Sequence, residues 1–181
     1  GDCNDGAGQT NPGKPELCDG KDNNCNGAAP SAVETNLATG TSNSLTNYLA
    51  QELVWTLPGS FARVEVSFNA PTAQNVTLYL FKSATLPTAV NSPAPVETIG
   101  PVSVAQNGAG VFTKYTFTSV AKPAVVAGEK WFFVWKASST GLTIQESTGN
   151  QYPKGQAYFA PSTPFSWSVL GSGSTDVTFA A

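Results

Sequence analysis

The chain has 181 residues, a net charge of −3 and 12% charged residues, about half the usual share, against 40% apolar residues. With a pI near 4.8 and Arg63 as the single arginine, this excludes a charge-driven disordered chain and a basic nucleic-acid binder. His and Met are both absent, which removes the commonest general base, the usual Ser and Cys triads, haem ligation by imidazole and thioether copper sites.

Residues 2–27 read DCNDGAGQTNPGKPELCDGKDNNCNG. The first residue is Gly1 and no signal peptide is visible, so a processed or trimmed chain is expected. Five carboxylates (Asp2, Asp5, Glu16, Asp19, Asp22) against Lys14 and Lys21 place the whole net charge in this segment. It also holds all three cysteines, Cys3, Cys18 and Cys25, and a single large aliphatic, Leu17. Every aromatic residue lies from Tyr48 onward. So little apolar surface builds no core; an ion, a disulfide or a host surface must hold such a piece.

Calcium takes about six to eight oxygens from carboxylates, amides and backbone carbonyls, with glycine turns between them. Asp22, Asn24 and Asn26 followed by Gly27 repeat the first half of an EF-hand-type loop, D-x-[DN]-x-[DN]-G. The second half fails: Val33 stands where the bidentate ligand belongs, and Glu34 comes one place late. Asp2, Asn4 and Asp5 form a compressed half-loop, with Glu16 and Asp19 between the two. The spacing predicts a site assembled from two half-loops; the bland alternative is an acidic, disulfide-closed turn that binds nothing. Cys18 with Cys25 would close a small ring, and Cys3 with Cys25 would clamp the half-loops together. Either pairing leaves one thiol over, free to link neighbouring chains. A catalytic cysteine has no His partner here, and in an oxidising compartment three thiolates on zinc compete poorly with a disulfide.

The order of Pro12, Gly13, Glu16, Cys18, Asp19, Gly20, Asp22, Asn23, Cys25 and Gly27 resembles the MopE-type metal-binding repeats of large secreted bacterial proteins. The resemblance implies an extracellular or surface-displayed protein holding a divalent metal. Asn4, Asn24 and Asn26 stand where the family carries Asp, which lowers the ligand charge. Hard oxygen donors without His or Met make calcium the expected ion. Its expected ligands are Asp2, Asn4, Asp5, Glu16, Asp19, Asp22, Asn24 and Asn26.

Residues 28–43 read as a polar linker or edge strand between the segment 1–27 and a body at 44–181. From there the pattern is β. Strands are predicted at 52–57 and at 61–69, where Val64, Val66 and Phe68 alternate with Arg63, Glu65 and Ser67. Residues 75–82 are apolar on both faces and predict a central strand, as do 131–136, with Trp131, Phe133 and Trp135 set against Phe132 and Val134. Further strands are predicted at 111–118, 142–146, 156–159, 165–169 and 176–180, with turns at Pro58-Gly59, 108–110, Ala127-Gly128 and 171–173. No amphipathic helix and no membrane-spanning apolar run is present. The fold class is therefore all-β, a two-sheet antiparallel sandwich of jelly-roll type with a small loop-rich N-terminal segment.

Residues 127–159 carry Gly149, Asn150, Tyr152, Pro153, Gly155, Ala157 and Tyr158 after an aromatic strand. This resembles the β-sandwich modules found beside anchor signals in secreted bacterial proteins, over roughly 44–181. It implies a non-catalytic display, adhesion or carbohydrate-binding module.

Trp131 and Trp135 are expected in the core. Tyr152, Tyr158 and Trp167, near loops, are candidates for stacking on a sugar. A glycosidase pair would need Glu129 and Glu146 about 5–9 Å apart; both are expected instead to be solvated charges at strand edges. The Asn75-Val76-Thr77 sequon falls inside a strand and is read as incidental. The expectation is a non-enzymatic, secreted or cell-surface calcium-binding protein with a structural or adhesive role. Self-assembly would proceed by 32–44 adding to a neighbour's sheet edge. The alternative is a calcium-stabilised carbohydrate-binding module. Expected partners are further copies, cell-surface or matrix components, or polysaccharide.

Overall fold

The computed structural model describes residues 35–36, 41–45, 48–149, 151–173 and 175–181. Fifteen strands run in chain order: β1 (Thr35–Asn36), β2 (Thr41–Leu45), β3 (Tyr48–Val54), β4 (Gly59–Ser60), β5 (Arg63–Asn69), β6 (Gln74–Lys82), β7 (Glu97–Val104), β8 (Thr113–Thr118), β9 (Ala124–Val125), β10 (Lys130–Ala137), β11 (Leu142–Thr148), β12 (Ala157–Ala160), β13 (Ser168–Val169), β14 (Thr175–Val177) and β15 (Phe179–Ala180). A single 3-10 turn, Leu170–Gly173, is the one helical element among the described residues.

Two antiparallel sheets make the predicted sandwich. The first runs β1-β15-β5-β11-β14, with β8 added to β5 and β2 to β11; the second runs β13-β12-β3-β10-β6-β7. Period-two alternation drives their packing. Val64, Val66 and Phe68 of β5, with Leu142 and Ile144 of β11, meet Leu49, Leu53, Leu78, Leu80, Trp131, Phe133 and Trp135 from the facing sheet. Trp131 and Trp135 are fully buried, as expected. Each such side chain contributes about 1.5–3 kcal/mol by leaving water.

The second sheet is apolar on its outer face too. Tyr48, Ala50, Phe81, Phe132, Val134 and Ala160 form a second core, covered by Leu86, Val90, Tyr158, Phe165 and Trp167. This corrects the strand predicted at 165–169, of which only Ser168–Val169 pairs. The Phe165 N–H donates instead to the Thr88 carbonyl (2.7 Å), and the Trp167 indole N–H to the Pro87 carbonyl (2.6 Å). Their rings lie across the sheet rather than extending it.

Strand β7 was not predicted, because Gly100-Pro101 interrupts its pattern. At Gly100 φ is +110°, a Cβ would sit 2.9 Å from the Val102 nitrogen, and the ladder with β6 slips between Val76 and Leu78. The strand predicted at 176–180 divides at Thr178, whose N–H donates to the Gln145 carbonyl (3.0 Å) as the chain passes from β11 to β5. Thr41–Leu45, within and just beyond the predicted linker, pairs along β11 of its own chain. That pairing in cis occupies the stretch expected to add to a neighbour's sheet.

Candidate functional site

The ligands predicted at Asp2, Asn4, Asp5, Glu16, Asp19, Asp22, Asn24 and Asn26, and the three cysteines, lie outside the described residues. Among the described residues no three His, Cys, Asp or Glu side chains form a metal-binding group. What the described residues do contain is a buried polar seam where the end of the first sheet meets the second.

The seam is built from alternation carried one step too far. Leu142 and Ile144 of β11 face the core, and the next inward position is Glu146, 2% exposed. Alongside β11 runs β14, which sets Val177 opposite Glu146 and Asp176, 1% exposed, opposite Ser147. From the second sheet, Gln51 of β3 reaches across. Its Nε2 donates to Asp176 Oδ1 (3.3 Å) and to the Glu52 carbonyl (2.9 Å), and its Oε1 accepts the Val177 N–H (2.8 Å). The Tyr152 N–H donates to Asp176 Oδ2 (3.2 Å). Asn36 of β1 donates to Ser147 Oγ (2.7 Å) and to the Val177 carbonyl (2.8 Å), so the chain leaving the N-terminal segment is tied to the same seam.

Glu146 Oε1 is buried with no hydrogen-bond partner. Burial, then the charge of Asp176, pushes the Glu146 carboxyl up to about 8. Burial also raises Asp176, against the hydrogen bonds from Tyr152 and Gln51, which favour its ionised form. The expectation that Glu146 is a solvated edge charge is therefore overturned. Glu129 is different: burial opposes its ionisation, but Lys82, the Trp131 indole and the Val126 N–H outweigh it and hold the carboxyl below its usual value. Glu129 forms an ion pair with Lys82 and is not part of the seam.

The three aromatic candidates do not converge. Tyr152 is 2% exposed, a correction to its reading as a sugar platform: its ring packs edge-on against Phe179, centroids 5.2 Å apart, in the main core. Tyr158 and Trp167 are half-buried on the second core. The Tyr158 hydroxyl donates to Glu52 Oε2 (3.2 Å), and burial, with the charge and hydrogen bond of Glu52, pushes it up to about 12. Trp167 rests against Phe165, centroids 4.6 Å apart.

The loop of residues 149–158 has a packing reason at most of the positions singled out in the sequence. Gly149 adopts φ +86°, Tyr152 and Ala157 enter the core, and at Gly155 a Cβ would lie 1.9 Å from the Glu52 carbonyl oxygen. Gln51 and Asp176 were missed by sequence reasoning. Gln51 interrupts the inward series Leu49, Leu53 and carries no signal of its own; Asp176 reads in the sequence only as the start of a strand.

Among families of known proteins, residues 2–29 match the Cu-binding MopE family model, described as a "putative metal-binding motif". That match supports the resemblance read from the N-terminal segment. No curated protein and no solved structure matches this chain.

Proposed function

We propose that this chain is a non-enzymatic calcium-binding protein of the cell surface or extracellular space, with a structural or adhesive role. Its N-terminal segment holds the ion through Asp2, Asn4, Asp5, Glu16, Asp19, Asp22, Asn24 and Asn26, and the sandwich is the rigid body it serves. The observation that carries this reading is the motif match at 2–29, in a segment with Leu17 as its one large aliphatic. The donor set fits a hard cation: it is oxygen-rich, and a soft metal would find only the three cysteines, with no His or Met. The family's name mentions copper; the residues here favour calcium.

A structural rather than sugar-capturing role is supported by the use of Tyr152, Tyr158 and Trp167 in packing and hydrogen bonding. Partners on this reading are further copies of the chain, joined by a spare thiol or by exchange of β1 and β2, or other surface and matrix components.

Titration calorimetry of the full chain tests the metal. Calcium should bind, and D19N/D22N should weaken that binding at least about tenfold, since each lost carboxylate lowers the ligand charge. Equal calcium affinity in both proteins, or tighter binding of copper than of calcium at the segment, would remove the reading.

A further inference from the structure

The outer face of the second sheet is covered over only part of its length. On β6 the outward series is Asn75, Thr77, Tyr79 and Phe81, and on β10 it is Phe132, Val134 and Lys136. Phe81, Phe132 and Val134 lie in the second core, beneath the cover. The register sets Tyr79 beside Val134 and then Thr77 beside Lys136, where both strands have turned polar. The irregularity at Gly100-Pro101 leaves Thr77 unmatched on β7 and brings Pro101 to the same place. Asn75, Thr77, Tyr79, Pro101, Lys136 and Ser138 thus line an open groove of about 260 Å3.

The polar groups of this groove have donors and acceptors to spare. Ser103 Oγ donates to Asn75 Oδ1 (3.0 Å), which leaves the Asn75 Nδ2 donors without an acceptor among the described residues. The hydroxyls of Thr77 and Tyr79 make no hydrogen bond there. Arg63, Lys82, Lys114 and Lys130 are ion-paired. Lys136 is exposed and in no ion pair among the described residues, its ammonium nitrogen 5.6 Å from the Tyr48 ring centroid. Hydroxyls, an amide, an aromatic ring and an ammonium without a carboxylate partner together suit a polyhydroxylated anion. A lone ammonium is a point charge that balances one negative charge. It matches a carboxylate better than a phosphate monoester, which carries about −1.5 to −2.

We propose that this groove binds a uronate residue of an acidic polysaccharide. The carboxylate sits on Lys136, the sugar ring lies against Tyr79 and Pro101, and sugar hydroxyls bond to Asn75 and Thr77. The volume is below the roughly 300–1,000 Å3 of pockets that enclose a drug-sized ligand, so the groove takes one ring while the polymer runs on over its open ends. Such a polymer is one of the matrix components that the adhesive role requires, and its extracellular setting rests on that reading. The groove itself uses no residue of the N-terminal segment and lies apart from the packed Tyr152, Tyr158 and Trp167.

The test is titration calorimetry of the full chain with oligogalacturonate and with a neutral galacto-oligosaccharide of equal length, in chelator so that calcium cannot bridge carboxylates. Wild type should bind the uronate oligomer at least about tenfold more tightly than the neutral one. Raising salt from about 0.1 to 1 M, which shortens the screening length from about 10 to 3 Å, should weaken that binding several-fold. Lys136→Gln should weaken it about tenfold and Thr77→Val about fivefold, for one charge-assisted and one neutral hydrogen bond. Lys122→Gln removes an exposed cation outside the groove and should change nothing. An unchanged melting temperature shows that each variant is folded. No binding by wild type, equal affinity for the neutral oligomer, undiminished binding by Lys136→Gln, or an equal loss in Lys122→Gln overturns the site. With calcium absent from every arm, such a failure leaves the N-terminal metal standing, and the D19N/D22N titration decides that separately.

Discussion

Gly155 shows how much of a loop motif is backbone geometry. A Cβ there would sit 1.9 Å from the Glu52 carbonyl oxygen and 3.0 Å from the Tyr152 ring. The first of these is main chain in the middle of β3, held by β10 and β12 on either side, so it cannot step aside as a flexible side chain would. Gly155→Ala should therefore destabilise by about 3 kcal/mol, the upper end for inserting one methyl into a filled space. Chemical denaturation reads this directly, and a loss under about 0.5 kcal/mol would mean the loop does not approach β3 this closely. Glu146 was readable by the same logic. Leu142 and Ile144 fix the inward face of β11, and a two-residue step puts Glu146 on it; the reading as an edge charge followed residue type and ignored register.

At the scale of elements, the second sheet poses the question of what covers a strand that is apolar on both sides. The double apolar character of 75–82 and 131–136 was plain in the sequence and placed β6 and β10 inside their sheet. The cover was not, because it consists of irregular loops whose apolar residues, Leu86, Val90, Phe165 and Trp167, carry no period. Two hydrogen bonds hold these loops together, Phe165 N–H to Thr88 and Trp167 N–H to Pro87, and the Tyr48 ring supports Phe165 edge-on, centroids 4.8 Å apart. Trp167→Ala should remove the indole donor and part of the cover together. For a half-buried Trp this costs about 2 kcal/mol, below the roughly 3–5 kcal/mol of a fully buried one. Retention on insoluble polysaccharide should not change beyond what that stability loss explains. A variant as stable as wild type but with weakened retention would instead make Trp167 a sugar-contacting residue. The opposite edge of the sandwich is closed by polar contacts that no periodicity reveals. Glu97 of β7 accepts from Ser119 Oγ and from the Val120 and Ala121 N–H groups, and the Tyr115 hydroxyl accepts the Ala105 N–H.

Over the whole molecule these carboxylates fall into two groups with opposite effects on stability, and together they shape its pH dependence in the absence of metal. Burial opposes ionisation of Glu97 and Glu129, but their hydrogen bonds, and for Glu129 the Lys82 charge, outweigh it and hold both below the ordinary 4.5. Their contribution is present above pH 4.5 and is lost as pH falls through their lower folded values. Glu146 is the reverse. Unfolded, it ionises near 4.5; folded, it keeps its proton to about 8, so between those values the unfolded chain binds fewer protons and stability falls as pH rises. Asp176, also raised, adds in the same direction. In chelator the melting temperature should therefore peak near pH 4.5–5.5, decline on the acid side as Glu97 and Glu129 protonate, and decline again toward pH 8. Glu146→Gln should flatten most of the alkaline limb and leave the acid limb unchanged, gaining a few kcal/mol at pH 8, since about 1.4 kcal/mol accompanies each pH unit over which folded and unfolded chains differ by one proton. Calorimetry from pH 3 to 9 in chelator measures both limbs. An alkaline limb unchanged in Glu146→Gln would mean that Glu146 is solvated after all, and the seam would then be a surface feature rather than part of the interior.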